Sequence, residues 1–212
     1  GDGSDNLSVT GLSDHYTKIG TQPASTTLVG GAGDDRLNAE WLASASLNGG
    51  DGDDSLSAMV ITTATLMGGA GADTLNVSFP NEWATNYTNA TSWNGTPVNK
   101  SYTLDGEDDD DIINVTGQFG KSYGQATVSA LGGTGNDTIT VSDNIAGDTG
   151  TNGQNYGIAK ATLNGGDGDD TLTVGGVLGA TLTGGTGADK FVLTAQQYRT
   201  IVEGSRSFAN SN

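Results

Sequence analysis

Residues 49–57 read GGDGDDSLS, so Asp51, Asp53 and Asp54 stand within six residues, among glycines and with no lysine or arginine beside them. Carboxylates crowded in this way can hold a hard cation through oxygen or act as an acid and base pair. The second role needs two carboxyls about 5–10 Å apart in a cleft. Acidic loops repeated along a chain supply such pairs everywhere, so coordination accounts for them first. No softer site competes. Cysteine is absent, and His15, between Asp14 and Tyr16, is the only histidine, so no zinc-type histidine pair can be assembled and His15 reads as an isolated surface residue. The chain is expected not to be an enzyme.

The stretch recurs. GGAGDDRLN begins at Gly30, GGAGADTLN at Gly68, GGTGNDTIT at Gly132, GGDGDDTLT at Gly165 and GGTGADKFV at Gly184, while GDGSDNLS at residues 1–8 fits from the second position on. A degenerate copy, GEDDDDIIN, starts at Gly106. Its sixth position is Asp111, the only register that gives the shared Asp-x-apolar-x-apolar tail. Glu107 and Asp109 then replace the glycines at positions two and four, which puts the loop's geometry in question. Eight copies of G-G-x-G-x-D-x-U-x resemble the haemolysin-type (RTX) calcium-binding nonapeptide repeat of secreted bacterial adhesins and surface-layer proteins.

That resemblance implies calcium, which takes six to eight oxygen ligands, held between the loops of adjacent coils. One loop gives the carbonyls of positions two and four and its Asp; the next gives the carbonyls of positions one and three and its Asp. Carried onto this chain, Gly1, Gly3 and Asp5 face Gly30, Ala32 and Asp35. Gly31, Gly33 and Asp35 face Gly49, Asp51 and Asp54, and Gly50, Gly52 and Asp54 face Gly68, Ala70 and Asp73. Gly69, Gly71 and Asp73 face Gly106, Asp108 and Asp111, and Asp111 faces Gly132, Thr134 and Asp137. Gly133, Gly135 and Asp137 face Gly165, Asp167 and Asp170, and Gly166, Gly168 and Asp170 face Gly184, Thr186 and Asp189. Up to about seven Ca2+ ions follow from the resemblance. The two sites flanking loop 106–111 are expected to be the weakest, one of them occupied differently or empty. The side chains of Asp53, Asp108, Asp110 and Asp169 are expected only to add negative potential.

The elements that must position these loops show in the spacing. Successive motifs lie 30, 19, 19, 38, 26, 33 and 19 residues apart, so 19 residues is the smallest unit and one motif per coil the simplest reading. From Asp35 the unit runs through a short strand, RLNA, a turn near residues 40–43, a second strand, SASLN, and the next loop. Apolar residues alternate with period two in both, as half-buried strands require. The strand entering each loop has its own signature: TTLVGG, ASLNGG, ATLMGG, ATLNGG and ATLTGG. Coils stacked at about 4.8 Å would form parallel ladders over a narrow Leu, Val, Ile and Ala core and align the loops along one edge of roughly 34 Å. The fold class expected is therefore all-β, a right-handed parallel β-roll or β-helix.

Composition argues that the fold needs help. Leu, Ile, Val and Phe make up 40 of the 212 residues and the net charge is -17, a combination typical of disordered chains. Eighteen of the 25 acidic residues lie in the hexapeptide loops. Two unit charges 4 Å apart repel by about 4 kcal/mol at an effective dielectric of 20, so stacked acidic loops should push coils apart unless cations join them. Calcium is thus expected to drive folding as well as to bind. Only eight Lys and Arg are present, which disfavours nucleic acid and anionic membranes as partners, and no apolar run is long enough to insert in a bilayer.

Lengths beyond 19 residues fall between the first and second strands, opposite the calcium edge. These inserts lie near 11–24, 78–101, 117–125 and 143–158, within a repeat domain of residues 1–193. The last three belong to consecutive coils. They bring Trp83, Tyr87, Trp93, Phe119, Tyr123 and Tyr156 to one face, either a surface for a sugar or protein partner or the inserts' own small cores. The 38-residue interval could also hide a coil that lacks its loop. Residues 194–212 show no motif and read as a cap or the start of another segment. The reading reached is a calcium-dependent structural or adhesive module of a secreted, type I-exported bacterial cell-surface protein, with cell-surface polysaccharide or neighbouring copies as partners. The alternatives are the calcium-binding tail of a secreted enzyme, or a lectin-like module using the aromatic face.

Overall fold

A computed structural model describes residues 1–11, 25–79, 99–117, 125–143, 157–194, 200–203 and 206–211. Two parallel sheets face each other. One holds the strands that leave the loops: β1 (Asn6–Thr10), β3 (Arg36–Glu40), β5 (Ser55–Met59), β7 (Thr74–Phe79) and β9 (Ile112–Gly117). It continues through β11 (Thr138–Asp143), β13 (Thr171–Gly175), β15 (Asp189–Thr194) and β17 (Arg206–Ser211). The other holds the strands that enter the loops: β2 (Ser25–Ala32), β4 (Ser44–Asp51), β6 (Thr63–Ala70) and β8 (Lys100–Asp108). It ends with β10 (Gln125–Thr134), β12 (Gly157–Asp167), β14 (Ala180–Thr186) and β16 (Thr200–Glu203). Each strand pairs with the one two places on, as stacked two-strand coils require. The architecture is the expected parallel β-roll, one glycine loop per coil.

Period-two alternation does the sorting. Leu37, Leu56, Leu75, Ile113, Ile139, Leu172 and Phe191 stack in register inside one sheet. Leu28, Leu47, Leu66 and Leu104 do the same in the other, and all are buried. The core is therefore a thin slab between two sheets.

β6 pairs directly with β8, and β7 with β9, so the 38-residue interval inserts no coil into the ladders; that alternative is corrected. The long connections all run from a loop-leaving strand to the following loop-entering strand, opposite the glycine loops, as their lengths required. Beyond the last motif, β16 pairs with β14 and β17 with β15, so both sheets continue past residue 194.

Not every inward position of the described strands is apolar. Lys100 is in phase with Tyr102 and Leu104 on the inner face of β8 and is 1% exposed. Its Nζ lies 5.4 Å from the centre of the Phe79 ring. Burial pulls this ammonium down to about 8, partly offset by the charge of Asp143, also buried, whose Oδ2 accepts a hydrogen bond from the Ile158 N–H. Tyr102 donates its hydroxyl to the Ile61 carbonyl at 2.8 Å.

Candidate metal centres along the loop edge

Each loop is built by its glycines. At position one a side chain would collide with the loop's own aspartate: a methyl group on Gly30 would meet Asp35 Oδ2 and lie 2.6 Å from the Gly49 carbonyl oxygen of the next coil. Gly49 stands in the same relation to Asp54 and Gly68, and Gly68 to Asp73 and Gly106. The absent Cβ lets the aspartate fold back over its own loop. Positions two and four take left-handed backbone, with φ of 119° at Gly50 and 122° at Gly52, which glycine adopts without steric cost. There the carbonyls of Gly31 and Gly33 point forward at the next coil.

The sixth-position aspartates form a column. Asp35, Asp54, Asp73, Asp111, Asp137, Asp170 and Asp189 are each at most 3% exposed, whereas carboxylates are seldom this deeply buried. One oxygen of each is used between coils. Asp35 Oδ1 accepts from the Asp5 N–H at 2.6 Å, Asp54 Oδ1 from Asp35 at 2.7 Å and Asp73 Oδ1 from Asp54 at 2.7 Å. Asp111 Oδ1 accepts from Asp73 and Asp137 Oδ1 from Asp111, both at 2.8 Å, and the ladder runs on to Asp170 and Asp189.

The second oxygen is the informative one. Oδ2 of Asp35, Asp54, Asp73, Asp111, Asp137 and Asp170 is buried and meets no hydrogen-bond donor. A Cβ on the loop's first glycine would meet both this oxygen and a carbonyl oxygen of the next coil's first position, from Gly49, Gly68, Gly106, Gly132, Gly165 and Gly184 in turn, so the two oxygens line one small space. Two acceptors lining one buried space without a donor are costly. Burial accordingly pushes the carboxyls of Asp73 and Asp111 up to about 7 and that of Asp170 to about 6, with neighbouring aspartates adding to the effect and the backbone N–H bonds opposing it. Asp54 and Asp137 shift the same way for the same first reason.

A divalent cation fits these gaps. Among the described residues no three acidic side chains converge on one point, so two carboxylates per gap would be completed by main-chain oxygens, a donor set suited to calcium. The register brings the expected third positions together as well: Ala32 beside Asp51, Asp51 beside Ala70, Ala70 beside Asp108, Asp108 beside Thr134, Thr134 beside Asp167 and Asp167 beside Thr186. Those carbonyls point back across the gap. Several already accept a position-four N–H of the preceding loop, as Asp51 does from Gly33 at 2.7 Å, which leaves one lone pair for a metal. The first loop joins by Gly3 N–H to the Ala32 carbonyl at 2.6 Å.

The degenerate loop keeps its place. Glu107 is in register with Gly69 and Gly133, and Asp111 takes its rung in the aspartate column. Glu107 and Asp109 hold the glycine conformation at φ 81° and 74°. The question over its geometry is thereby answered.

One expectation needs correcting. Fifth-position side chains do more than add potential. Asp34 Oδ1 accepts from the Asp53 N–H, Asp53 Oδ1 from Ala72, Asp110 Oδ1 from Asn136, Asn136 Oδ1 from Asp169 and Asp169 Oδ1 from Ala188. This exposed ladder reaches forward to the following coil, while the buried aspartates reach back. The aromatic residues expected on the insert face, Trp83, Tyr87, Trp93, Phe119, Tyr123 and Tyr156, lie outside the described residues, as does His15.

Stacked coils whose carboxylates and carbonyls face one another across each gap define a calcium-binding β-roll module. The chain carries the RTX calcium-binding nonapeptide repeat, whose family model matches it in four copies at residues 24–41, 46–59, 64–77 and 162–177. No significant match to a curated protein or to a solved structure was found.

A pH dependence follows. The raised carboxyls bind protons in the metal-free fold that the unfolded chain releases, so their contribution is fully present below about pH 4 and is lost as pH rises through 6 to 7. Calcium must displace those protons. With a stabilising osmolyte holding the metal-free protein folded, titration with calcium at pH 6.5 in weak buffer should release protons measurable by a pH-stat, and at pH 8.5 almost none; equal release at both would contradict the burial of these groups.

Proposed function

We propose that this chain is a calcium-dependent structural and adhesive module of a secreted bacterial cell-surface protein, with no catalytic centre of its own. The observation that carries the reading is the row of six buried carboxylate oxygens without donors, each opposed by a carbonyl oxygen of the next coil. Calcium would join Asp35 with Asp54, Asp54 with Asp73, Asp73 with Asp111 and so on to Asp189, together with the loop carbonyls already named. The bound ions supply the charge that lets like-charged coils stack; the protein supplies the frame. Repeats of this kind typically occur in secreted bacterial proteins, and extracellular calcium is abundant enough for sites of modest affinity. No helix of the described residues is long and apolar enough to cross a membrane. A rod with ions along one edge and inserts along the other suits display of the insert face to polysaccharide or to neighbouring copies.

Metal analysis after equilibrium dialysis against millimolar calcium tests the core of this. Several ions per chain, up to about seven, are expected. Retention of none, under conditions where the chain is folded, refutes it.

A further inference from the structure

Asparagine precedes glycine at two of the described positions, Asn48–Gly49 and Asn164–Gly165. Both stand at the mouth of a loop, in the closely matching stretches SLNGGDGDDSL and TLNGGDGDDTL. This dipeptide carries its own chemistry. The glycine nitrogen attacks the asparagine Cγ, a new C–N bond closes a five-membered succinimide, and the side-chain amide leaves as ammonia. Water then opens the ring. Where it cleaves the bond to the asparagine's α-carbonyl, the chain is relinked through the side chain as isoaspartate, one methylene longer and bearing a new carboxylate. Glycine favours the step, because it has no Cβ to restrict the turn of the backbone that the ring needs.

The coil holds these residues off that path. Asn48 and Gly49 lie in β4, paired on one side with β2 and on the other with β6, and Asn164 and Gly165 lie in β12 between β10 and β14. Ring closure turns the peptide unit between the two residues out of its extended strand, so the ladders must open first. The Asp–Gly pairs that follow in the same loops cyclise by the same attack with loss of water, and their nitrogens are held as well. The Gly52 N–H donates to the Ala70 carbonyl at 2.7 Å and the Gly168 N–H to that of Thr186 at 2.9 Å. On the calcium reading above, these ladders persist only while metal joins the coils.

The modified chain has no way back. Gly49 and Gly165 are buried, and even a Cβ on either would run into the carboxylate of its own loop, Asp54 or Asp170. A backbone lengthened at the residue before displaces the loop from this fit. We propose that Asn48 and Asn164 are self-modification sites guarded by calcium: a chain left without metal deamidates there and permanently loses loops 49–54 and 165–170 as calcium sites. Each loop borders two gaps, one pair on either side of loop 106–111. Chains that meet calcium late are thereby withdrawn from the folded population.

Ageing of the full chain at pH 8, in calcium and in excess chelator, tests this by peptide mass mapping and isoaspartate-specific methylation, followed by return to calcium and a count of bound ions. In chelator Asn48 and Asn164 should convert at the rates of short peptides of the same sequence. In calcium conversion should be slower by about tenfold or more, because the ladders must open first. The chain aged without metal should recover fewer ions than a fresh one. Asn48 shares its rung with Met67 and Asn164 with Thr183, so Asn48→Thr with Asn164→Thr should fold, and it should recover its full count after the same treatment. Equal conversion in calcium and chelator, full recovery by the aged wild type, or loss that persists in the double variant overturns the proposal and leaves the calcium reading standing. A folded wild-type chain that binds no calcium overturns both.

Discussion

In excess chelator the chain should give the circular dichroism of a largely unstructured polypeptide, and millimolar calcium should convert it to a β spectrum. The balance of terms requires a change of this size. The apolar core of the described residues is a thin slab built mainly of Leu, Ile, Val and Ala side chains such as Leu37, Ala39, Leu56 and Ala58, and 18 of the 25 acidic residues lie in the loops along one edge. Fixing the backbone costs roughly 1–2 kcal/mol per residue, which a core this thin offsets poorly. Six of the gaps each add a carboxylate oxygen buried without a donor, worth about 1–3 kcal/mol of penalty, more where charged. A cation reverses the sign of that contribution. Magnesium should be a poor substitute, since it demands tighter octahedral geometry and gives up its water reluctantly. An identical β spectrum with and without calcium would mean that the slab suffices alone, and the account of the loop edge would fail.

Asp54→Asn should have opposite effects with and without metal. The amide oxygen can still accept from the Asp35 N–H, preserving the rung. Its NH2 replaces Oδ2, which lines the same small space over Gly49 as the Gly68 carbonyl, and so offers that carbonyl the donor the space lacks. In chelator at pH 8, with enough sucrose or trimethylamine oxide to hold the metal-free chain folded, the variant should gain about 1–3 kcal/mol relative to wild type, the range for relieving one unsatisfied buried group. In calcium it should lose, because Asp54 borders two gaps, and the midpoint of calcium-induced folding should rise by about tenfold or more. Urea melts with and without calcium provide the check. Destabilisation in both conditions would show that the carboxylate is needed for the loop itself.

Much of this was legible in the chain because two periods coincide. The 19-residue interval fixed one loop per coil, and period-two alternation in RLNA and SASLN fixed which side chains face inward; the ladder of Leu37, Leu56 and Leu75 realises both. The tail Asp111-Ile-Ile-Asn-Val set the register of the irregular loop, and Asp111 occupies its rung. Other features were hidden for physical reasons. Lys100 counts as surface by type, although alternation from Leu104 places it inside. The fifth-position ladder joins residues 19, 26 or 33 apart through main-chain donors that composition does not distinguish. β16 and β17 carry no loop motif, so nothing in the residues 200–211 marked them as continuing the sheets.

Among the described residues the carboxylates that calcium would join lie along the loop edge of the solenoid. Withdrawing metal therefore does not stretch the rod uniformly. Repulsion acts along that side, while the strand ladders hold neighbouring coils together across both sheets, and the result is a bending moment that opens the coils at the loop edge first. A filament assembled from such modules would change its curvature as surrounding calcium rises and falls, well before its strands part.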